Sequence, residues 1–409
     1  MTATGLVPSA VSGYECSSTR IHSRPWDAAR ERAHAAAAPL PPVLLPLAEA
    51  AGAVLAEPLV AEGDLPPVDR SAMDGYAVRG PGPWTVLGAV GAGAPAPAGL
   101  LEGEARAVVT GSAIPAATDA VLPDEDAVRT GDRLTGAVAP GRHVRRAGEE
   151  CAAREELVPA GAVVRAAVLG LAAALGEDVL RVNPQPRVAA LVTGDELVGC
   201  GRPGPGRVRD AIGPMLPGLV AQAGGHAETV VGLPDERAAL VTALAGTDAD
   251  LLLVSGSSAA GPADHLRAAL AELGAELLVD GVACRPGHPQ SLARLRDGRL
   301  VVGLPGNPLA ALAAFLTLAG PVLAGLRGAP LPALVAAPVP GGLARHATST
   351  RLVPVRVRHG GVETVGHGGA AMLRGAAVAD ALAVVDPGPA AAIAARLLPL
   401  DPGANPWAG

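Results

Sequence analysis

The sequence predicts a multidomain α/β protein, in which a central doubly wound, three-layer α/β domain is accompanied by small β domains and a helical or extended linking domain. The first observation is length, because 409 residues exceed what a single hydrophobic core usually serves. The second is that apolar β-branched runs alternate with helical stretches from about residue 186, which is typical of a mainly parallel sheet covered by helices. The third is that short Val-containing runs separated by Gly, Pro and Asp fill residues 61–140 and return after residue 331, as in small β domains.

These changes in the pattern of apolar and turn-forming residues divide the chain into five parts. WDAARERAHAAAAP predicts a helix that a proline ends, and the Ala/Val/Leu-rich residues 155–176 predict another helix. The first residues have no basic region leading into an apolar one, so we expect a disordered extension and not a signal peptide. The predicted parts are the extension 1–25, the linking domain 26–60 plus 141–185, a small β domain 61–140, the α/β domain 186–328 and a C-terminal β domain 331–403.

Composition excludes some classes of protein. A net charge of -7 and 1% aromatic residues argue against a general nucleic-acid binder, which needs a basic face and aromatic side chains for base stacking. The 4 cysteines fit neither a disulfide framework nor a CxxC metal site, so we expect a reducing cytoplasm. Residues 300–326 are uncharged, but they contain several prolines and begin as a strand and turn, which predicts a buried strand and helix and no membrane span.

Four loops follow the predicted strands of the α/β domain, at the sheet edge where open α/β sheets bind ligands. The first three contain the carboxylates of Asp195 and Glu196, of Asp235, and of Asp264, and the fourth is the turn LPGNP. Each acidic loop alone is commonly a helix cap. Clustered at one sheet edge beside Gly/Ser loops, they suit Mg²⁺ bridging protein oxygens to a phosphate or another oxyanion.

Two basic segments have two interpretations each. In CRPGHPQ, Arg285 either clamps an oxyanion or is an ordinary surface arginine. RHVRR, residues 142–146, is either a solvated run of charge or part of an anion site.

Several motifs resemble one known family in the same order along nearly the whole chain from about residue 26. They are LPPVD with SAMDGYAV, AVVTGSAIPAATDAVLPDED, HVRRAGEE, PRVAALVTGDELV, GRVRD, DLLLVSG with Asp264, RPGHP and VGLPGNP. This set resembles the molybdopterin molybdenumtransferases of the MoeA and gephyrin E-domain type. The resemblance implies that the α/β domain binds molybdopterin. It further implies insertion of molybdate into the dithiolene of adenylated molybdopterin with release of AMP, in a Mg²⁺-assisted reaction of a homodimer.

The resemblance also implies roles for individual residues. Asp74 and Thr110 are expected to face the α/β cleft of the partner subunit, so that each site is shared between subunits. Asp235 and Asp264 are expected to bind Mg²⁺, and Glu196 to position molybdate or its displaced oxygen. The implied catalytic set is therefore Asp74, Glu196, Asp235 and Asp264, and the implied substrate-binding set is Thr110, Glu150, Ser255, Gly256, Arg285, Pro286 and Pro289.

The sequence departs from the family pattern at several of these positions. The family's Ser-Gly-Gly-Val-Ser loop stands here as residues 255–259, SGSSA, which lacks one glycine and one hydroxyl of the expected phosphate cradle. The remaining departures are Glu150 for Asp, Arg70 and Ile212 for Asn, His288 and Arg285 for Lys, and Gly369 for Ser.

These departures leave two alternatives open beside an active molybdenumtransferase. One is a divergent, non-catalytic paralogue that binds molybdopterin or a partner protein without completing metal insertion. The other is a different nucleotide-dependent transferase on the same scaffold, since fold alone does not fix substrate. For the active enzyme, the expected partners are adenylated molybdopterin, a second copy of the chain, a molybdopterin adenylyltransferase and apo-molybdoenzymes, with no nucleic acid and no membrane.

Overall fold

The computed structural model describes residues 23–95, 98–256 and 265–401. These residues form two compact units. One contains residues 39–184 with 327–329, and the other contains the described residues before 39, from 185 to 326 and from 330 onwards. Mixed α/β structure with several separate sheets confirms the predicted multidomain α/β class. The boundaries of the five predicted parts stay predictions.

The helices are short, apart from one in the α/β part. The predicted helix over 155–176 is wrong in extent, because residues Glu156–Val158 form a strand and the turn after Pro159 precedes the helix. The helices are α1 (Trp26–Ala36), α2 (Ala166–Leu175), α3 (Leu216–Gln222), α4 (Arg237–Gly246), α5 (His265–Glu272) and α6 (Pro308–Leu326), with a π-helical stretch at Phe315–Ala319, and short 3₁₀ turns lie at Asp124–Asp126, Gly213–Met215 and Ala376–Val378.

The unit of residues 39–184 is built of short strands. The strands are β1 (Val43–Pro46), β2 (Val54–Leu55), β3 (Leu59–Val60), β4 (Arg70–Ser71), β5 (Gly75–Val78), β6 (Trp84–Val90), β7 (Glu104–Val108), β8 (Ala120–Pro123), β9 (Val128–Thr130), β10 (Arg133–Thr135), β11 (Val144–Arg145), β12 (Glu156–Val158) and β13 (Val179–Asn183). A six-stranded sheet in the order β8-β5-β7-β6-β10-β9 is the largest part of the unit. Three smaller strand groups, β1-β13-β2, β11-β4 and β12-β3, complete it.

The second unit contains a six-stranded α/β sheet. The strands of this part are β14 (Arg187–Thr193), β15 (Leu197–Val198), β16 (Val208–Arg209), β17 (His226–Leu233), β18 (Leu251–Ser255), β19 (Glu276–Asp280), β20 (Cys284–Arg285), β21 (Ser291–Arg294) and β22 (Leu300–Leu304). The order in the sheet is β17-β14-β18-β22-β21-β19. The first four strands are parallel, as predicted, but β21 pairs antiparallel with both of its neighbours, β22 and β19. The reason is the hairpin LRDGR between β21 and β22, which is too short for a crossover helix.

The core of this unit explains its long apolar helix. Leu252, Val254 and Val301 of the sheet pack with leucines of α4 and α5. Helix α6 has the length and hydropathy of a membrane span, yet 94% of its apolar window is buried within the protein. It is therefore a core helix, as the prolines of this segment predicted. Helix α1 packs on α6, where Trp26 Nε1 donates to Thr317 Oγ1 at 3.0 Å.

The C-terminal strands form a sheet that incorporates one short strand of the α/β part. The C-terminal strands are β23 (Val335–Leu343), β24 (Thr350–Arg358), β25 (Gly361–Thr364), β26 (Ala381–Val385) and β27 (Ala392–Pro399). The order of the sheet is β20-β24-β26-β27-β23, with β25 paired to β24. The parallel pairing of β20 with β24 places Arg285 beside Arg351.

Candidate functional site

Two acidic loops meet at the carboxyl ends of adjacent parallel strands. Asp195 follows β14 and Asp235 follows β17, and the Asp235 N–H donates to Asp195 Oδ1 at 3.2 Å. Glu196 lies exposed in the first loop, where its carbonyl oxygen accepts from the Val208 N–H at 2.9 Å. The structure therefore brings the first two acidic loops together at the sheet edge that the sequence indicated. Asp264 lies outside the described residues.

The Gly256 turn lies beside these loops and accepts only glycine. Thr193 Oγ1 donates to the Ser255 carbonyl at 2.9 Å, which joins the ends of β14 and β18. Gly256 has a φ of +93°, and a Cβ there would lie 2.4 Å from Thr193 Oγ1. A Cβ on Gly306 of LPGNP would lie 3.7 Å from the α-carbon of Gly256, so these two turns adjoin. Residues 257–259, where the sequence departs from the family loop, lie outside the described residues.

A cleft of about 480 Å³ lies between the RPGHP turn and the C-terminal sheet. This is the size of a small-molecule pocket. The predicted residues Arg285, Pro286 and Pro289 all line it, together with His288. Arg351 also lines it and donates to the carbonyl of Ala344. Sequence reasoning missed Arg351, because only the long-range pairing of β20 with β24 brings it beside Arg285.

Buried hydrogen bonds hold the RPGHP turn in shape. Gln290 is fully buried, and its Nε2 donates to Gly287 O at 2.7 Å and to Cys284 Sγ at 3.2 Å. Burial raises the pKa of the Cys284 thiol to about 12, so Cys284 stays protonated and donates to Pro286 O at 3.4 Å. His288 Nδ1 lies 3.0 Å from the Val282 carbonyl, which can only accept; this assigns the hydrogen to Nδ1. The cleft wall is therefore preorganised by its own side chains.

The other unit carries Asp74 and Thr110 as a bonded pair. Asp74 Oδ1 accepts from the Thr110 N–H at 2.6 Å and from Thr110 Oγ1 at 2.9 Å. The backbone and then the hydroxyl hydrogen bond of Thr110 lower the pKa of Asp74, because both stabilise the ionised carboxylate. Glu150 is paired with Arg145, with Arg145 Nη2 to Glu150 Oε2 at 2.6 Å. The predicted substrate role of Glu150 therefore requires that it act beside a neutralising guanidinium.

Asp69, in the LPPVD motif, connects two of the family segments. Its carboxylate accepts from Arg146 Nη1 at 2.6 Å and from the Ala147 N–H at 2.9 Å. Partial burial raises the pKa of Asp69, but these hydrogen bonds outweigh it and the net shift is downward. RHVRR is thus not simply a solvated run of charge, since Arg145 and Arg146 both bind carboxylates of the same unit.

Ile212 is buried at the position where the family has Asn. Only 6% of its surface is exposed, and its N–H and that of Gly213 donate to Asp210 Oδ1 at 2.9 Å each. The Asp210 carboxylate thus binds the N–H groups at the start of the 3₁₀ turn Gly213–Met215, which precedes α3, and the Ile212 side chain contributes packing and no hydrogen bond.

The described residues contain no group of three or more His, Cys, Asp and Glu that could hold a metal by itself. Mg²⁺ usually takes only one or two protein carboxylates and completes its shell with substrate phosphates and water. The carboxylate oxygens of the half-buried Asp235 and of the exposed Asp195 are hard donors of this type. The acidic loops therefore fit a magnesium ion held jointly with a phosphorylated substrate.

The fold and this cleft define a multidomain α/β protein with acidic and glycine-containing loops at the carboxyl edge of its parallel strands. Models of three protein families match the chain in order: the MoeA N-terminal region (domain I and II) over residues 24–176, a probable molybdopterin binding domain over 189–325, and the MoeA C-terminal region (domain IV) over 336–392. The chain belongs to the MoeA family of molybdopterin molybdenumtransferases, which confirms the resemblance.

Individual relatives agree with this assignment. Molybdopterin molybdenumtransferase 2 of Mycobacterium tuberculosis is 35% identical over 317 residues, covering 71% of this chain and 76% of that protein. The molybdopterin molybdenumtransferase of Haemophilus influenzae is 33% identical over 297 residues, covering 69% and 72%. The structure of the molybdopterin biosynthesis MoeA protein of Pyrococcus horikoshii superimposes with a TM-score of 0.77 at 25% identity, covering 92% of this chain and 100% of that one.

Proposed function

We propose that this enzyme of molybdenum cofactor biosynthesis inserts molybdate into the dithiolene of adenylated molybdopterin and releases AMP. The observation that carries the proposal is the juxtaposition of the Asp195 and Asp235 loops at one end of the parallel sheet. An anhydride phosphate and an oxyanion both need a hard cation as a partner, and the carboxylates at this edge would hold Mg²⁺ for that purpose. The 480 Å³ cleft beside the RPGHP turn supplies a preformed pocket in the same unit.

In this proposal, different residues of the α/β unit bind phosphate, Mg²⁺, molybdate and the anionic substrate. The backbone of Ser255 and Gly256 receives phosphate at the end of β18, where Gly256 has the positive φ of +93° that this turn requires. Asp235, with Asp264, binds Mg²⁺, which when bound neutralises phosphate charge. Glu196 positions molybdate or the oxygen that it loses. Arg285 binds the anionic substrate, and Pro286 and Pro289 shape the wall around it.

We further propose that the enzyme is a homodimer in which Asp74, Thr110 and Glu150 of one subunit complete the site of the other. The hydrogen bonds from Thr110 stabilise the ionised form of Asp74, so Asp74 is a fixed negative charge or a hydrogen-bond acceptor in the reaction. We place the enzyme in the cytoplasm, between an adenylyltransferase that supplies its substrate and the apo-molybdoenzymes that receive its product.

A non-catalytic paralogue is not favoured. The relatives at 33–35% identity are named as transferases, and the acidic residues expected to act are all retained in this chain: Asp74, Glu196, Asp235 and Asp264. The different loop at 255–259 leaves Gly256, which the geometry requires, unchanged.

The test is AMP release from adenylated molybdopterin by the purified protein with Mg²⁺, with and without molybdate. We expect molybdate-dependent release and a product that activates an apo-molybdoenzyme. Asp235→Asn and Asp264→Asn should each abolish turnover while preserving folding. Asp297→Asn is the matched control, because Asp297 lies on the surface of the same unit and, among the described residues, pairs with Arg299. Tight binding of the substrate without AMP release would support the paralogue instead.

The shared site has its own test. A mixture of the Asp74→Asn and Asp264→Asn proteins should regain activity through heterodimers that contain one intact site. If each variant is inactive and mixed dimers, verified by native mass spectrometry, stay inactive, both residues act within one subunit.

A further inference from the structure

Arg70 stands where the family commonly has Asn, and its side chain contacts the segment that holds Asp74. Arg70 lies in β4, where it pairs with Arg145 of β11, and it forms an isolated bridge to Ala113. Its backbone therefore has a neighbour on each side. The guanidinium Nη1 of Arg70 donates to the carbonyl oxygen of Gly111 at 2.8 Å. A backbone paired on both sides thus anchors a long side chain that ends on the turn containing Thr110.

The peptide group between Gly111 and Ser112 makes two hydrogen bonds: one closes the turn, and the other is with Arg70. The Ser112 N–H donates to the Val109 carbonyl at 3.0 Å, and Gly111 has a φ of +81°, as position i+2 of a type II turn requires. The Gly111 carbonyl that accepts from Arg70 and the Ser112 N–H that closes the turn belong to the same peptide group. A charged donor on that carbonyl polarises the peptide and strengthens the hydrogen bond on its other side.

Thr110 lies in the same turn, directly before Gly111. Its N–H and hydroxyl are the two donors to Asp74 Oδ1. Backbone bonds between Ser71 and the turn, Gly111 N–H to Ser71 O at 2.8 Å and Ser71 N–H to Ser112 O at 3.0 Å, align the two segments. The guanidinium of Arg70 adds a side-chain bond from the β4 segment to the middle of the turn.

We propose that Arg70 is a positioning residue that fixes the turn 109–112 and thereby the direction in which Thr110 presents its two donors to the Asp74 carboxylate. Arg70 itself touches no reacting atom. The effect of Arg70 on turnover rests on the proposed function of Asp74. The effect of Arg70 on the Asp74 carboxylate is independent of that proposed function. Small displacements of a positioned group cost up to about 100-fold in rate, so loss of this contact has a measurable effect.

The experiment compares Arg70→Ala and Arg70→Lys with a matched control, Arg79→Ala. Arg79 is in the same unit and likewise donates from Nη1 to a backbone carbonyl, that of Leu100, at 2.6 Å. The titration of Asp74 is followed by ¹³C NMR of protein labelled at the aspartate carboxyl carbon, with Asp74→Asn to assign the resonance. The kcat and KM for AMP release are measured on the same proteins.

We expect Arg70→Ala to raise the pKa of Asp74 and to lower kcat at least about 5-fold, with KM changed less than about 2-fold. Arg70→Lys, which retains a charged donor, should restore most of the lowered pKa of Asp74 and most of kcat. Arg79→Ala should change neither the pKa of Asp74 nor kcat. The proposal is overturned if Arg70→Ala leaves the Asp74 titration and kcat unchanged, or if Arg79→Ala changes them equally. Should Arg70→Ala fail to fold, Arg70→Gln, which keeps a shorter donor, takes its place. If the unmodified enzyme releases no AMP, the proposed function fails, and the titration still tests Arg70.

Discussion

Thr110 places two hydrogen-bond donors on one oxygen of Asp74, with N···Oδ1 at 2.6 Å and Oγ1···Oδ1 at 2.9 Å. The two residues are 36 positions apart, and each lies in a separate family motif. Asp74 Oδ2 makes no hydrogen bond within the described residues, so one oxygen is held and the other keeps its capacity to accept hydrogen bonds. This division fixes both the charge and the orientation of the carboxylate.

Thr110→Val should therefore destabilise the protein in a pH-dependent way. The backbone N–H of Thr110 and, second, its hydroxyl favour ionised Asp74 only in the folded state, so the folded pKa lies below the unfolded value of about 3.9. This contribution to the free energy of unfolding is complete above the unfolded pKa and is lost as the pH falls through the folded pKa. Urea denaturation should show the loss in Thr110→Val at pH 7 and a smaller loss below about pH 4.

The matched control is Thr118→Val. Thr118 Oγ1 donates to the Pro115 carbonyl at 2.7 Å, an acceptor that does not titrate. Its substitution should cost the same at both pH values. An equal cost of Thr110→Val at both pH values would show that the hydroxyl does not act through the Asp74 charge.

Gly256→Ala should destabilise the α/β unit and impair binding at its edge. The φ of +93° alone costs about 1–3 kcal/mol for a residue with a Cβ, and that Cβ would also approach Thr193 Oγ1 to 2.4 Å. Gly306→Ala in the adjoining turn is the control, because its Cβ would make an ordinary contact at 3.7 Å. Thermal unfolding should separate the two variants by several degrees. Equal melting temperatures would contradict the geometry of the Gly256 turn.

Arg396→Met should loosen the attachment of α1 to the C-terminal sheet. Arg396 binds both oxygens of Asp27 at 2.6 and 3.0 Å and also Asp386 at 2.7 Å, and its guanidinium lies 5.6 Å from the Trp26 ring. The hydrogen bond to Asp27 is the main cause of the raised pKa of Arg396. Because the side chain is 31% exposed, we expect a loss of only about 1–2 kcal/mol in urea denaturation.

Arg181→Met provides the comparison for Arg396. The Arg181 pair with Glu57 is long, at 3.9 Å, and both side chains are well exposed. Its loss should cost less than about 0.5 kcal/mol. A cost for Arg396→Met no larger than that for Arg181→Met would indicate that the Asp27 contact contributes nothing to stability.

Cys284 should resist alkylation although it lines the cleft. Burial raises the pKa of its thiol to about 12, so only about one molecule in 10,000 carries the reactive thiolate at pH 8. Cys200 is exposed and should react with iodoacetamide at least about 100-fold faster. Peptide mass spectrometry at successive times measures both rates, and denatured protein is the control in which they converge. Comparable rates in the native protein would mean that the RPGHP turn opens readily.

The elements that the sequence predicted best are those with a local cause. Apolar runs alternating with helical stretches identified β14, β17, β18 and β22 as parallel strands, because buried strands and their covering helices differ in periodicity. The same local pattern placed Asp195 and Asp235 in loops at one sheet edge. It failed for residues 155–176, where an Ala/Val/Leu-rich composition concealed the strand β12, whose partner β3 lies about 100 residues earlier.

The sequence by itself determined the fold class, the family motifs and the acidic loops, because each of these follows from residue type and spacing along the chain. Only the tertiary structure decided that β21 runs antiparallel to β22 and β19, that Arg351 joins Arg285 at the cleft, and that Arg70 reaches the turn of Thr110. These relationships join residues distant in the chain, and no local periodicity encodes them. They follow from strand pairing, which depends on which surfaces the whole unit can bury together.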